Sequence, residues 1–157
     1  MSHITRTKHN MADIPKQLQE TLEDFSFITT RQERQQYLIQ LADQFNEVKV
    51  SPDVAQQPYD EGHRVPECES DAFVWATPND DGTLQFHFDV LNPQGLSAMA
   101  LSVIIGQAAS GQPLDKVQNI QTDVVFDFFG KEISMGKGQG LMGIINMVKA
   151  HAKQHAK

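Results

Sequence analysis

Between Leu84 and Val90 the chain alternates strictly, with Leu84, Phe86, Phe88 and Val90 separated by Gln85, His87 and Asp89. Successive side chains of a strand point to opposite faces, so a period of two predicts a strand with one buried face. A run of strand formers, Ala72-Phe73-Val74-Trp75-Ala76, comes before it, and Pro78-Asn79-Asp80-Asp81-Gly82 between them carries turn chemistry. Together they predict one antiparallel hairpin, with His87 and Asp89 on its more polar face.

The flanking segments read as helices. Ile14, Leu18, Leu22 and Phe25 line one helical face, and a second stripe after Thr30 runs through Tyr37, Leu38, Leu41, Phe45 and Val48. A short link between these two stripes predicts an antiparallel helical hairpin, with Arg34 and Gln35 turned to solvent. After Pro93, Leu96, Met99, Ala100, Val103 and Ile104 predict a largely buried helix. Short helical turns are expected over 113–119 and 122–129, with Gly130 as a stop. A final helix follows Gly136-Lys137-Gly138-Gln139-Gly140, with Leu141, Ile144, Ile145 and Val148 on one side. The order ααββααα predicts an α+β domain, a small antiparallel sheet packed against helices. Residues 1–12 read as a flexible extension before a single domain over 13–157. Residues 49–67 lack periodicity and hold Pro52, Pro58, Gly62 and Pro66. A loop of about twenty residues is uncommon in a compact domain and is often functional.

Composition removes several classes of function. A chain of 157 residues suits one core. No apolar run approaches the roughly 20 residues that span a bilayer, and no apolar stretch follows the basic residues near the N-terminus, so neither a membrane span nor a secretory signal is expected. The formal net charge of −7 argues against a nucleic-acid partner. A single cysteine implies no oxidising compartment, and the expected location is the cytoplasm.

That cysteine, Cys68, ends the long loop in the sequence His63-Arg64-Val65-Pro66-Glu67-Cys68-Glu69-Ser70. One thiol cannot close an internal disulfide or supply the several thiolates of a zinc ribbon or an iron–sulfur scaffold. Two roles stay open on the local sequence: a packed, inert cysteine, or a thiol whose chemistry another molecule completes.

Other constellations are weaker. The glycine-rich 136–140 segment with Lys137 lacks the frame of a phosphate-binding loop and reads as a tight start to the last helix. His151 and His155 have the spacing of two metal ligands, but no third ligand is evident, so no metal is expected. No nucleophile elbow is present, and a cysteine-protease pairing of Cys68 with His87 has only Asp89 to orient it.

Val65 to Ser70 followed by Phe73-Val74-Trp75 resembles the Cys-Gln-Ser-X-Val-Trp segment of the SufE family, sulfur acceptors for cysteine desulfurases. Tyr37 to Ala42 is similar to the family's helix before the cysteine loop, and Gly95-Leu96 matches the start of its buried helix. Ile133 to Leu141 resembles the family's Leu-[Ser/Thr]-X-X-Arg-X-X-Gly-Leu motif, and the likeness extends over 14–153. The resemblance implies a fold shared with IscU-type scaffold proteins and a persulfide carried on Cys68. It implies a PLP-dependent cysteine desulfurase as sulfur donor, an iron–sulfur assembly scaffold downstream, and no cofactor in this chain. It also implies a loop that packs its cysteine inward before docking. The alternative is a docking module of the same fold that modulates a desulfurase without carrying sulfur. A thiol-redox protein is disfavoured because the chain has no resolving cysteine.

Three positions depart from the family pattern. Glu69 replaces the usual Gln, Glu67 stands where Gly is common, and Lys137 stands at the Arg of the final motif. Two carboxylates disfavour the ionised form of a neighbouring thiol, so a slow thiol activated on docking is expected. His63 and Arg64 are candidates to offset them. The resemblance places Asp89 and Lys137 around partner docking and the cysteine loop, although lysine lacks arginine's bidentate fork.

Overall fold

The computed structural model describes residues 13–156. The expected extension over 1–12 lies outside the described residues. Among those described, six α-helices and one two-stranded sheet form: α1 (Lys16–Ser26), α2 (Arg31–Ala42), β1 (Ala72–Pro78), β2 (Leu84–Val90), α3 (Leu96–Ala109), α4 (Leu114–Gln118), α5 (Val124–Phe129) and α6 (Met135–His155). Four helices therefore follow the hairpin, one more than the ααββααα order, because both short stretches close into helices of their own. The architecture is α+β.

The strands pair antiparallel from Ala72 opposite Val90 to Pro78 opposite Leu84. Phe86 and Phe88 point into the main core with Val74 and the buried face of α3. Gly106 of α3 makes that approach possible, since a Cβ there would lie 2.7 Å from the Phe88 ring. The long helix α6 covers β1, α3 and α4.

The expectation of a single buried sheet face is corrected. Phe73 and Trp75, on the opposite face of β1, are 2% and 5% exposed and pack with Val50, Val54, Ala55 and Tyr59. The 49–67 loop supplies this cover. Lys49 bridges to Phe88 at one edge of the hairpin and Arg64 to Phe73 at the other, so the loop straps the sheet across both edges. Asp89 is buried on this face, and its Oδ2 accepts a 2.6 Å hydrogen bond from the Tyr59 hydroxyl. Burial first, and then this carboxylate, push the Tyr59 phenol up to about 12.

Two further expectations change. α1 and α2 meet at Phe25 and Tyr37, whose rings are 4.9 Å apart, but each lies chiefly against other helices, both of them on α3. Arg34 is not simply solvated: it donates to the carbonyls of Asp127 (2.9 Å) and Phe128 (3.2 Å). Those carbonyls close the short α5, where a cation is favourable. Thr30 caps α2 by accepting from the Glu33 amide at 3.1 Å.

Candidate functional site

The segment carrying Cys68 is held at both ends. Before it, the Val65 amide donates to the Ala72 carbonyl at 2.8 Å. After it, the Asp71 amide closes a turn on the Cys68 carbonyl at 3.2 Å, and the Asn92 amide binds the Ser70 carbonyl at 3.2 Å. Glu67 and Asp71 on either side have φ of +60° and +55°. Such left-handed backbone is routine for Asp and costs a glutamate about 1–2 kcal/mol. The position where the family pattern favours glycine is thus one that needs positive φ.

Glycines make the seat beneath this segment. A Cβ on Gly140 would lie 3.1 Å from Cys68 Cα and 3.2 Å from the Glu67 carbonyl oxygen. One on Gly143 would lie 2.8 Å from a Val65 methyl, and one on Gly95 would lie 2.8 Å from Ser70 Cβ. The cysteine loop therefore runs along a groove in α6 and against the start of α3, at separations tighter than a Cβ ordinarily makes.

Cys68 is half-buried. It packs on the main core and also lines a hollow of about 340 Å³ with Glu69, Asn92, Gln94, Ser134 and Lys137. The first turns of α3 (Ser97, Ala98) and α6 (Gly136, Lys137) complete the wall. α3 has no side-chain cap, and α6 is capped by Ser134, which accepts from the Lys137 amide at 3.2 Å. Two long helices thus turn their partially positive ends toward the sulfur's hollow, with Lys137 among its lining residues. This surrounding suits an anionic sulfur species.

The structure brings Cys68, Glu69 and Lys137 together. Glu67 instead lines a separate hollow with Met142, Met147 and Thr122, so only one of the two glutamates shares the sulfur's space. Arg64 is committed elsewhere: it pairs with Glu61 and Asp71, both at 2.7 Å, and its guanidinium lies 4.7 Å from the Phe73 ring centre. The bond to Glu61 raises the Arg64 pKa further and holds the Glu61 carboxyl below its ordinary range. His63 stacks on Trp75 with centroids 5.5 Å apart, its Nδ1 3.1 Å from the Val74 carbonyl. Asp89 is engaged by Tyr59 and lines no hollow with Cys68. The sequence assigns none of Asn92, Gln94, Ser134 and the groove glycines to the site, although Gly95, Ser134 and Gly140 lie in segments that resemble the family. Gly140 lay within a noted glycine run, but its facing Cys68 has no signature in the sequence.

The other constellations are dispersed. His87 Nε2 is 2.9 Å from Thr77 Oγ1 and takes no part in the Cys68 hollow; burial lowers its pKa. His151 does not pair with His155 as a chelate; its ring stacks parallel to His63 at 6.4 Å, and burial, then the neighbouring histidines, lower its pKa. Among the described residues no group of three or more His, Cys, Asp or Glu side chains is placed to hold a metal ion. Among them, too, no helix is long and apolar enough to cross a membrane.

Residues 19–152 match the SufE family, described as an Fe-S metabolism associated domain. The chain belongs to the SufE family. This ties it to iron–sulfur metabolism, consistent with a role in sulfur transfer. No curated protein matches it. The solution structure of a hypothetical protein from Thermus thermophilus superposes with a TM-score of 0.70 over 91% of this chain and 98% of that one, at 19% identity. At that identity the likeness speaks for the fold alone, and the fold it supports is the SufE-like α+β arrangement described above.

Proposed function

We propose that this protein accepts sulfur from a PLP-dependent cysteine desulfurase as a persulfide on Cys68 and passes it to an iron–sulfur assembly scaffold. One observation carries the reading: in a SufE-family chain, the single cysteine is seated on a glycine groove and opens into a hollow between the N-terminal ends of α3 and α6.

The step needs no second cysteine in this chain. Cys68 gives up its thiol proton, and its Sγ attacks the terminal sulfur of the donor's cysteine persulfide. A new S–S bond forms on Cys68 as the donor's S–S bond breaks. The donor's cysteine leaves as a thiolate and takes up a proton, so the exchange has no net redox change. The donor's PLP generates its persulfide from L-cysteine, releasing alanine. The residues here bind and orient: the loop turn fixes Sγ, while the two helix ends and Lys137 favour the negative charge of the product persulfide. Glu69 opposes it within the same hollow, which supports a thiol that reacts fully only when docking rearranges these charges.

Incubation with a cysteine desulfurase and L-cysteine tests the reading. Intact mass should show one added sulfur, absent in Cys68→Ser. A productive complex with no adduct on the wild-type protein would sink the carrier role.

A further inference from the structure

Lys137 and Ser97 line a second hollow, of about 560 Å³, that opens beside the Cys68 hollow. Its other walls come from the start of α2, with Thr30, Arg31 and Arg34, and from the link between α5 and α6, with Glu132 and Ile133. Its charged side chains are Arg31, Arg34 and Lys137 against Glu132. The sign is opposite to that of the whole chain, whose formal net charge is −7.

The cations differ in how firmly they are placed. Arg34 is anchored by its bonds to the Asp127 and Phe128 carbonyls, which satisfy acceptors without neutralising its charge. Arg31 is 81% exposed and meets the 67% exposed Glu132 at 3.6 Å. That separation is well beyond the roughly 2.7–2.9 Å of a charge-assisted hydrogen bond, so the pair is loose. The Glu132 carboxyl is held below its ordinary range first by its own backbone amide and then by Arg31 and Arg34. Among the described residues Lys137 has no ion-pair partner. One internal carboxylate thus faces two arginines, and a third cation stands at the rim of the Cys68 hollow.

We infer that this trough docks an acidic segment of the desulfurase, whose carboxylates take the place of Glu132 on Arg31 and lie toward Lys137 beside Cys68. The inference rests on the acceptor reading above and adds the chemistry by which the donor is recognised. The cations are spread over α2 and α6, on either side of Glu132, at an open and largely exposed surface. That layout suits a chain segment with several carboxylates better than one small anion, which needs converging donors. Complementary charge at such a rim steers encounter and fixes orientation.

Titration calorimetry with a desulfurase that loads Cys68, at low and high salt, tests this. Arg31→Glu should weaken binding about three- to tenfold at low salt, because it removes an exposed attraction and adds a repulsion of similar size. Glu132→Gln should tighten binding a few-fold by removing the internal competitor, and both effects should shrink as salt screens them. Asp80→Asn, on the hairpin turn, makes the same change in net charge as Glu132→Gln and should leave affinity within about twofold. Wild-type affinity for Arg31→Glu would overturn the inference, as would equal tightening by Asp80→Asn. Binding of inorganic phosphate to the wild-type protein but not to Arg31→Glu would also overturn it, in favour of a small-anion site. The two readings fail separately. If Cys68 gains sulfur while Arg31→Glu binds normally, only the docking assignment falls; if Cys68 gains none from a bound desulfurase, the acceptor role falls first.

Discussion

Replacing Gly140 with alanine puts one methyl group between α6 and the backbone that carries the sulfur. The new Cβ would lie 3.1 Å from Cys68 Cα, 3.2 Å from the Glu67 carbonyl oxygen and 3.5 Å from Cys68 Cβ. Carbon pairs settle near 3.5–4.0 Å, so the loop or the helix must give by a few tenths of an ångström. A flexible side chain could absorb that, but the close atoms are mostly backbone. The loop is tied by the Val65–Ala72 and Ser70–Asn92 hydrogen bonds. Overpacking of this kind costs about 1–3 kcal/mol. Alanine's better helix propensity returns up to about 1 kcal/mol. Gly136→Ala supplies the reference, because nothing lies within 4 Å of its added Cβ in the same helix. Gly140→Ala should therefore be less stable than Gly136→Ala by about 1–3 kcal/mol, read by urea unfolding. Its melting temperature should fall by about 2–4 °C for each kcal/mol. Sulfur loading of Cys68 in the desulfurase assay should slow at temperatures where the variant is fully folded. Equal stability of the two variants, with unchanged loading, would refute the claim that the glycine groove positions the cysteine.

Two other features give separate expectations. Tyr59→Phe deletes the 2.6 Å bond to the 3%-exposed Asp89 and should cost about 1.5–3 kcal/mol, the range for hydrogen bonds to charged groups. Hydrogen exchange at the Val50 amide, which binds the Phe88 carbonyl at 2.8 Å, should rise with it; a cost below about 0.5 kcal/mol would mean that Asp89 does not anchor the strap. Acid should weaken the fold through His151 and His87, whose pKa values are lowered in the folded state. Below about 6.5 the unfolded chain then binds more protons than the folded one, so stability is full above that pH and falls as pH drops through the folded values. His151→Gln should flatten the pH dependence of the urea midpoint between about pH 5 and 7, and an unchanged slope would reject the assignment.

Local signals in the sequence carried the hairpin and the helices that flank it. The alternation at 84–90 depends only on which face of a strand each residue occupies, so it survives any tertiary context. The second face of β1 was hidden because its cover, Tyr59 and Val50, lies in a segment with no periodicity. Aperiodic sequence encodes contacts, not repeats, and a strap reads as a loop. Arg34 was misassigned for a related reason: its position on the exposed side of the α2 stripe is visible in sequence, while the open carbonyls of α5 it satisfies lie 93 and 94 residues away.

The site shows the same division between chemistry and support. Cys68 and Lys137 could be named from residue type and motif, because reactive groups are few and distinctive. The residues that place them could not, since Gly95, Gly140 and Gly143 act through what they lack. Each permits a close approach that a Cβ would crowd, and the approaches converge on residues 65–70 from two helices. Those helices also turn their N-terminal ends to the hollow. One arrangement thus seats the loop and surrounds the sulfur with favourable dipoles. Glu67, strained at φ +60°, and Glu69, facing the sulfur's hollow, work against it in the free protein. Carboxylates brought to Lys137 would by themselves oppose an anionic sulfur at that rim, so activation on docking requires the same contact to turn Glu69 out of the hollow.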